Sequence, residues 1–245
     1  VNVDLLITGG ILVSSGETVE ADVAVLGGVI VPTGEGSVEA RSVLDARGCY
    51  ILPGAFDPHV HAATTVNGVA SADDCATVSR GALAGGVTAV ADFSEQRPGE
   101  ACDAAAQRRL ELWRDVPVRA MVHANLTDWS SGWEHGVRRL VKSGFRSVKV
   151  FLAYTPISPT DKQLAELARI AVSEGLVVLV HAEDAEMVAS GIKNARRHSR
   201  THPSFHPGSR PPHAEARAID RAVKLVCGNG AALHVVHVSS SAGAE

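Results

Sequence analysis

Asp57-Pro58-His59-Val60-His61 places two imidazoles two residues apart in an apolar run. In an extended strand residues i and i+2 point to the same side, so His59 and His61 present their rings as a pair. Neutral imidazoles at this spacing suit zinc or a similar borderline divalent metal; the alternative is a chance pair on a half-buried strand. Lys149 stands inside Ser147-Val148-Lys149-Val150-Phe151-Leu152, where a charged, buried ammonium is unfavourable. Burial lowers its pKa and makes the neutral amine accessible. A neutral amine adds CO2 to give a carbamate, a two-oxygen anion able to bridge two metals. The alternative is a lysine whose head snorkels to the sheet end. His181 closes the apolar run 176–181 and His237 closes the run 232–237. Each alone reads as a satisfied core or loop histidine. Four histidines and one lysine at strand ends on one rim read together as a metal site. His234 has the opposite parity to His237 and is not expected on the metal.

Bringing these groups together requires a scaffold of strands that end on one face. Apolar runs at 56–61, 87–93, 118–124, 147–152, 176–181 and 232–237 alternate with helix-like stretches at 72–84, 100–113, 133–142, 162–174, 185–197 and 213–226. This alternation predicts βαβ units and a parallel sheet. Gly85-Gly86, Gly144, Gly175 and Gly228 stand at or near the positions where helices stop. The stretch His198–His213, rich in His and Pro, reads as a loop over the rim, with plain solvent exposure the alternative. Six strands are expected where a closed (β/α)8 barrel has eight, and a six-stranded piece would leave two open parallel edges. The chain is therefore expected to be a fragment, or to be completed by a second polypeptide. An open doubly wound sheet fits the alternation as well. The histidines gathered on one rim favour the barrel, whose strand C-termini face the active site.

The first fifty residues follow a different rhythm. Short strands at 4–8, 11–14, 21–26 and 29–32, separated by Gly9-Gly10 and Gly27-Gly28, predict hairpins of a small sheet or sandwich. Leu52-Pro53-Gly54 then punctuates the chain. The expected organisation is a small β-sandwich portion over 1–52 and an incomplete (β/α) barrel over 53–245.

Composition excludes several classes. With 45% apolar and 20% charged residues and a formal charge of -4, the chain reads as ordinary globular protein. Its one basic cluster, Lys193 to Arg197, is too short to argue for nucleic acid and reads as a solvated helix end. No run of about twenty apolar residues suggests a membrane span. Cys49, Cys75, Cys102 and Cys227 form no CxxC pair, and scattered thiols with no basic apolar leader point to the cytoplasm.

The residues that carry chemistry resemble those of the cyclic amidohydrolases: dihydropyrimidinases, hydantoinases, allantoinases and dihydroorotases. The resemblance runs from the glycine-rich N-terminal strands to the sixth barrel strand. It implies a (β/α)8 barrel and a site for two divalent metal ions, zinc by preference. The implied ligands are His59, His61, Lys149 as a CO2-derived bridging carbamate, His181 and His237. It also implies a general-base aspartate after a later strand, beyond residue 245. Dihydroorotases place an Arg shortly after the paired histidines to hold a carboxylate; here Ala62-Ala63-Thr64 follows. Lys149-Val150-Phe151-Leu152-Ala153-Tyr154, Ala124 to Trp129 and Ser209-Arg210-Pro211 instead resemble the dihydropyrimidinase and D-hydantoinase branch. In that branch Tyr154 would stabilise the oxyanion of the attacked carbonyl. The implied reaction opens a small cyclic amide, a hydantoin, dihydropyrimidine or related ring, to an N-carbamoyl product. The implied assembly is a homo-oligomer. Two departures mark the pocket: Ala62 where Leu is usual, and the small polar segment Thr64 to Gly68 in a substrate-facing loop. Glu183 and Asp184 are expected to cap the next helix rather than act as base. The alternative is a catalytically silent homologue, or one half of a split enzyme, serving as an assembly partner.

Overall fold

The computed structural model describes residues 2–33, 37–66 and 68–245. It divides into two compact units, Val1–Ala55 and Phe56–Glu245.

In the first unit β1 (Asn2–Val13) pairs antiparallel with β2 (Thr18–Leu26), and β2 pairs with β3 (Val29–Val31). β4 (Glu39–Asp45) and β5 (Tyr50–Ile51) both run parallel to β1. The Gly27-Gly28 reversal is as expected: both residues have positive φ, 59° and 78°, which a two-residue hairpin of this hand needs. Gly9-Gly10 is not a turn. β1 passes straight through it, with a register shift between Ile7 and Gly10. Gly9 takes φ +67° and donates its N–H to Asp22 Oδ1 at 2.9 Å. A Cβ on Gly10 would lie 2.6 Å from Ile51 Cδ1. The pair thus serves a bulge and a close side-chain approach.

The second unit is built of β/α repeats. After β6 (Ala55–Val60) comes a short hairpin of β7 (Thr65–Val66) and β8 (Val69–Ala70). Then follow α1 (Cys75–Ala84), β9 (Val87–Phe93), α2 (Cys102–Glu111), β10 (Arg119–Asn125), α3 (Trp133–Lys142) and β11 (Ser147–Phe151). The chain continues with α4 (Asp161–Glu174), β12 (Val177–His181), α5 (Ala185–Arg197), α6 (Pro212–Leu225), β13 (Ala232–Val235) and α7 (Ser241–Ala244). The sheet order is β13-β12-β11-β10-β9-β6, each strand beside its predecessor in sequence, and the pairs from β9 to β13 are parallel. This is the succession that right-handed β/α crossovers give.

The core lies between sheet and helices. Val148, Val150, Val178 and Val180 pack their outward faces against Leu140, Leu164, Leu167 and Ile170, all buried. α4 shows why the helices form where they do. Thr160 and Gln163 make a reciprocal capping box, the apolar stripe follows at helical spacing, and Gly175 ends the helix at φ +68°. Gly228 is not a helix stop. It lies within a single 3-10 turn, Cys227–Asn229, and Gly230 takes the left-handed position at φ +85°.

The sheet is rolled. β6 and β13 lie at its opposite edges, about 24 Å apart if five inter-strand spacings were laid flat. Yet the His59 and His237 rings are 5.5 Å apart, centroid to centroid. Strong curvature therefore converges the strand ends on one another. Among the described residues, no helix is long and apolar enough to cross a membrane.

Candidate metal centre

Every histidine expected at the rim is brought into one cluster. His59 lies on β6 and His61 just past it, with ring centroids 5.2 Å apart. His59 touches His237, and His237 lies 4.6 Å from His181 at the end of β12. His237 is not on its strand. β13 stops at Val235, two residues short of the expected end, and His237 takes φ +42°. That is a left-handed conformation rare for a side chain of this size, and such residues concentrate at functional sites. Ala63, two residues past His61, is also left-handed at φ +46°.

Lys149 stands at the middle of β11 and is 2% exposed. Its Nζ lies 5.0 Å from the Phe93 ring centroid and 4.9 Å from that of Phe151. Burial alone pushes its pKa down to about 8. The snorkelling alternative fails here because the head sits between two aromatic rings rather than at the sheet end. Burial first, then the charges of Lys149, His61, His237 and His123, pushes His59 down to about 4. His61 and His237 also lie below the ordinary histidine value, with burial the leading cause. These rings are neutral near pH 7 and offer lone pairs. The donor set of neutral imidazoles and a depressed lysine therefore fits divalent metal and carbamate chemistry. The rings now lie in contact with one another and with Phe93. Among the described residues, no three His, Cys, Asp or Glu groups converge on one point at ligating distance.

Tyr154 lies in the loop past β11, its ring 5.3 Å from that of His181. The segment after His61 is the β7–β8 hairpin, exposed at Val66 and Val69; Asn67 lies outside the described residues. His234 faces away from the cluster, into an apolar cavity of about 570 Å³ shared with His123, Phe56, Met121 and Leu179.

Several functional neighbours were not legible in the sequence. Glu183 does not cap a helix. Asp184 does so, accepting the Met187 N–H at 3.0 Å. Glu183 turns back, placing Oε2 2.6 Å from His181 Nε2 and pairing with Arg210. Burial alone would raise the Glu183 carboxyl; the His181 hydrogen bond and the Arg210 charge outweigh it and hold it below its ordinary range. Beneath His61, Asp92 and Arg109 form a buried ion pair, and Arg109 donates to the Ala62 carbonyl. His123 bridges Ser147 Oγ at 2.6 Å and the Pro58 carbonyl at 3.1 Å. A carbonyl only accepts, so Nε2 carries the proton there. Apart from Glu183, two residues from His181, these partners are 17 to 65 residues apart in sequence, and no local spacing announces them.

The fold and the rim of imidazoles define an amidohydrolase-type (β/α) barrel sheet with an N-terminal sheet unit. A solved D-hydantoinase from Bacillus sp. AR9 superimposes with a TM-score of 0.91 at 32% identity, over 98% of this chain and 53% of that one. The D-hydantoinase of Geobacillus stearothermophilus is 31% identical over 98% of this chain and 52% of its own length. The dihydropyrimidinase of Arabidopsis thaliana is 35% identical over 96% of this chain and 45% of its own. The chain belongs to the dihydropyrimidinase/D-hydantoinase branch of the cyclic amidohydrolases, matching its N-terminal portion. It spans about half the length of these relatives. No family model matches it.

Proposed function

We propose that this chain supplies the metal-holding portion of an enzyme that hydrolyses a C–N bond of a cyclic amide. The substrate class is a hydantoin, a dihydropyrimidine or a related ring, and the product is an N-carbamoyl compound. The observation that carries this reading is the convergence of His59, His61, His181 and His237 at the rim above the buried Lys149. These residues would hold two divalent ions, zinc by their donor type, with Lys149 carboxylated between them. Carboxylation needs the neutral amine: the ammonium first releases one proton to solvent, a bond then forms between Nζ and the carbon of CO2 as a second proton leaves Nζ, and the cation has become an anion. Bound ions would supply Lewis acidity and lower the pKa of water.

The remaining roles belong to the chain itself. Phe93 and Phe151 flank the Lys149 head, and its burial favours the uncharged form. Tyr154 donates a hydrogen bond from its hydroxyl to the oxyanion that develops on the attacked carbonyl. The general-base aspartate belongs to polypeptide outside these 245 residues, and assembly into a homo-oligomer is part of the same reading. The test is ring opening of dihydrouracil and of 5-substituted hydantoins by purified zinc-loaded protein carrying this chain, with the ureido product followed by mass. Turnover that vanishes in His59→Ala and in Lys149→Ala supports the reading. Zinc binding without turnover on any of these rings would replace it with an assembly role.

A further inference from the structure

Four side chains from three separate stretches of sequence form one chain of polar contacts at the rim. Glu183 Oε2 lies 2.6 Å from His181 Nε2. A carboxylate only accepts, so Nε2 carries a proton, and in the neutral ring Nδ1 is then the nitrogen with the lone pair. The same Glu183 oxygen accepts from Arg210 Nη1. Arg210 Nη2 then stands 3.5 Å from Tyr154 Oη, with the guanidinium carbon 5.6 Å from the phenol ring centroid. Arginine has no acceptor, so the Tyr154 oxygen accepts, and its own proton stays free for another partner. One guanidinium thus spans the end of β12 and the loop after β11.

Arg210 is itself held from behind. The preceding Ser209 is buried and donates its hydroxyl to the His206 carbonyl at 2.7 Å. Ser209 lies so close to α5 that a Cβ on Gly191 would come within 2.4 Å of its carbonyl oxygen. The segment expected to be a loop over the rim therefore turns Arg210 inward. Its Nε is buried and has no hydrogen-bond partner among the described residues.

We propose that Arg210 is a positioning residue, fixing the Nε2–H tautomer of His181 through Glu183 and orienting the Tyr154 hydroxyl so that its proton is free for donation. What His181 Nδ1 and Tyr154 then act on rests on the function proposed above; the tautomer itself does not.

The test uses the purified protein with [15N]histidine, first stripped of metal with a chelator. The His181 imidazole nitrogens are assigned by their loss in His181→Gln. Read at a pH where the ring is neutral, the expected wild-type result is protonation at Nε2. Glu183→Leu and Arg210→Met should shift His181 toward the Nδ1–H tautomer. In competition with a chromophoric chelator they should also weaken zinc binding by about 10–100-fold. Arg210→Lys, which cannot span both partners in one plane, should fall between. Should Arg210→Met fail to fold, Arg210→Lys and Glu183→Gln are read in the same way. A wild-type ring protonated at Nδ1 overturns the inference, as does a tautomer and zinc affinity unchanged in the Arg210 variants. A wild-type protein with the expected tautomer that binds no zinc leaves the inference standing and sinks the proposed function.

Discussion

Arg109 Nε donates to Asp92 Oδ2 at 2.6 Å with the two side chains 3% and 0% exposed. Asp92 also accepts from Trp113 Nε1 at 2.8 Å and from the Phe93 N–H at 2.7 Å, and Arg109 donates to the Ala62 carbonyl. The pair therefore ties β9 and α2 to the turn directly after His61. Removing one member leaves the other charge buried alone, a loss of about 3–5 kcal/mol. Arg109→Met and Asp92→Leu should each lower stability by that order in urea denaturation. The double variant should lose less than the sum of the two. Additive losses would mean that the two groups do not act as a pair.

Lys149 gives a prediction whose sign depends on pH. Its folded pKa is about 8 against an ordinary 10.5. Below pH 8 both folded and unfolded chains hold the proton, and the folded state bears the full cost of the buried charge, on the order of 3 kcal/mol. Between pH 8 and 10.5 the unfolded chain still binds a proton that the folded chain has released, so that cost is progressively relieved. In metal-free, CO2-free buffer Lys149→Met should be more stable than wild type at pH 7, and the gap should narrow from pH 8 upward. Equal stability at pH 7 would show that the ammonium is solvated in place.

The cysteines divide by burial. Cys49 and Cys227 are exposed and Cys75 and Cys102 are buried. Burial, with the Asp103 charge adding, pushes the Cys102 thiol up to about 12, and Cys75 is raised as well, burial leading. The thiolate is the reactive form. Native protein at pH 8 should therefore take iodoacetamide at Cys49 and Cys227 alone, and denatured protein at all of them, as read by peptide mass. Modification of Cys102 in native protein would show that α2 opens from the sheet.

Where the sequence was readable, the reason was local periodicity. β9, α3 and α5 begin and end where the pattern of apolar residues and glycine stops places them. The paired imidazoles of His59 and His61 and the isolated lysine of β11 needed only strand alternation and the cost of burying charge. What could not be read was tertiary. His237 reaches the cluster by leaving its strand in a left-handed conformation, which parity counting cannot foresee. Gly9-Gly10 looks like a turn because sequence does not reveal the Ile51 side chain that needs its space. Glu183 and Asp184 are adjacent carboxylates, and tertiary partners separate them: Arg210 pairs with Glu183, whereas Asp184 caps α5 and pairs with Arg217.

Two helical glycines that sequence cannot distinguish should respond to alanine in opposite directions. Gly81 lies in α1, and a Cβ there would meet nothing within 4 Å. Gly81→Ala should therefore stabilise by about 0.5–1 kcal/mol through the lower entropy of the unfolded chain and better helix propensity. Gly191 lies in α5 with the same intrinsic gain on offer, but its Cβ would sit 2.4 Å from the Ser209 carbonyl oxygen and 2.9 Å from the carbonyl carbon. Both are backbone atoms, so the clash is relieved only by moving the segment that carries Arg210. Overpacking of this kind costs about 1–3 kcal/mol, which exceeds the propensity gain, so Gly191→Ala should be a net loss. Thermal unfolding of both variants measures the difference. A stabilised Gly191→Ala would mean that the 203–210 segment moves away from α5 without cost, and that Arg210 is held by its contacts to Glu183 and Tyr154 alone.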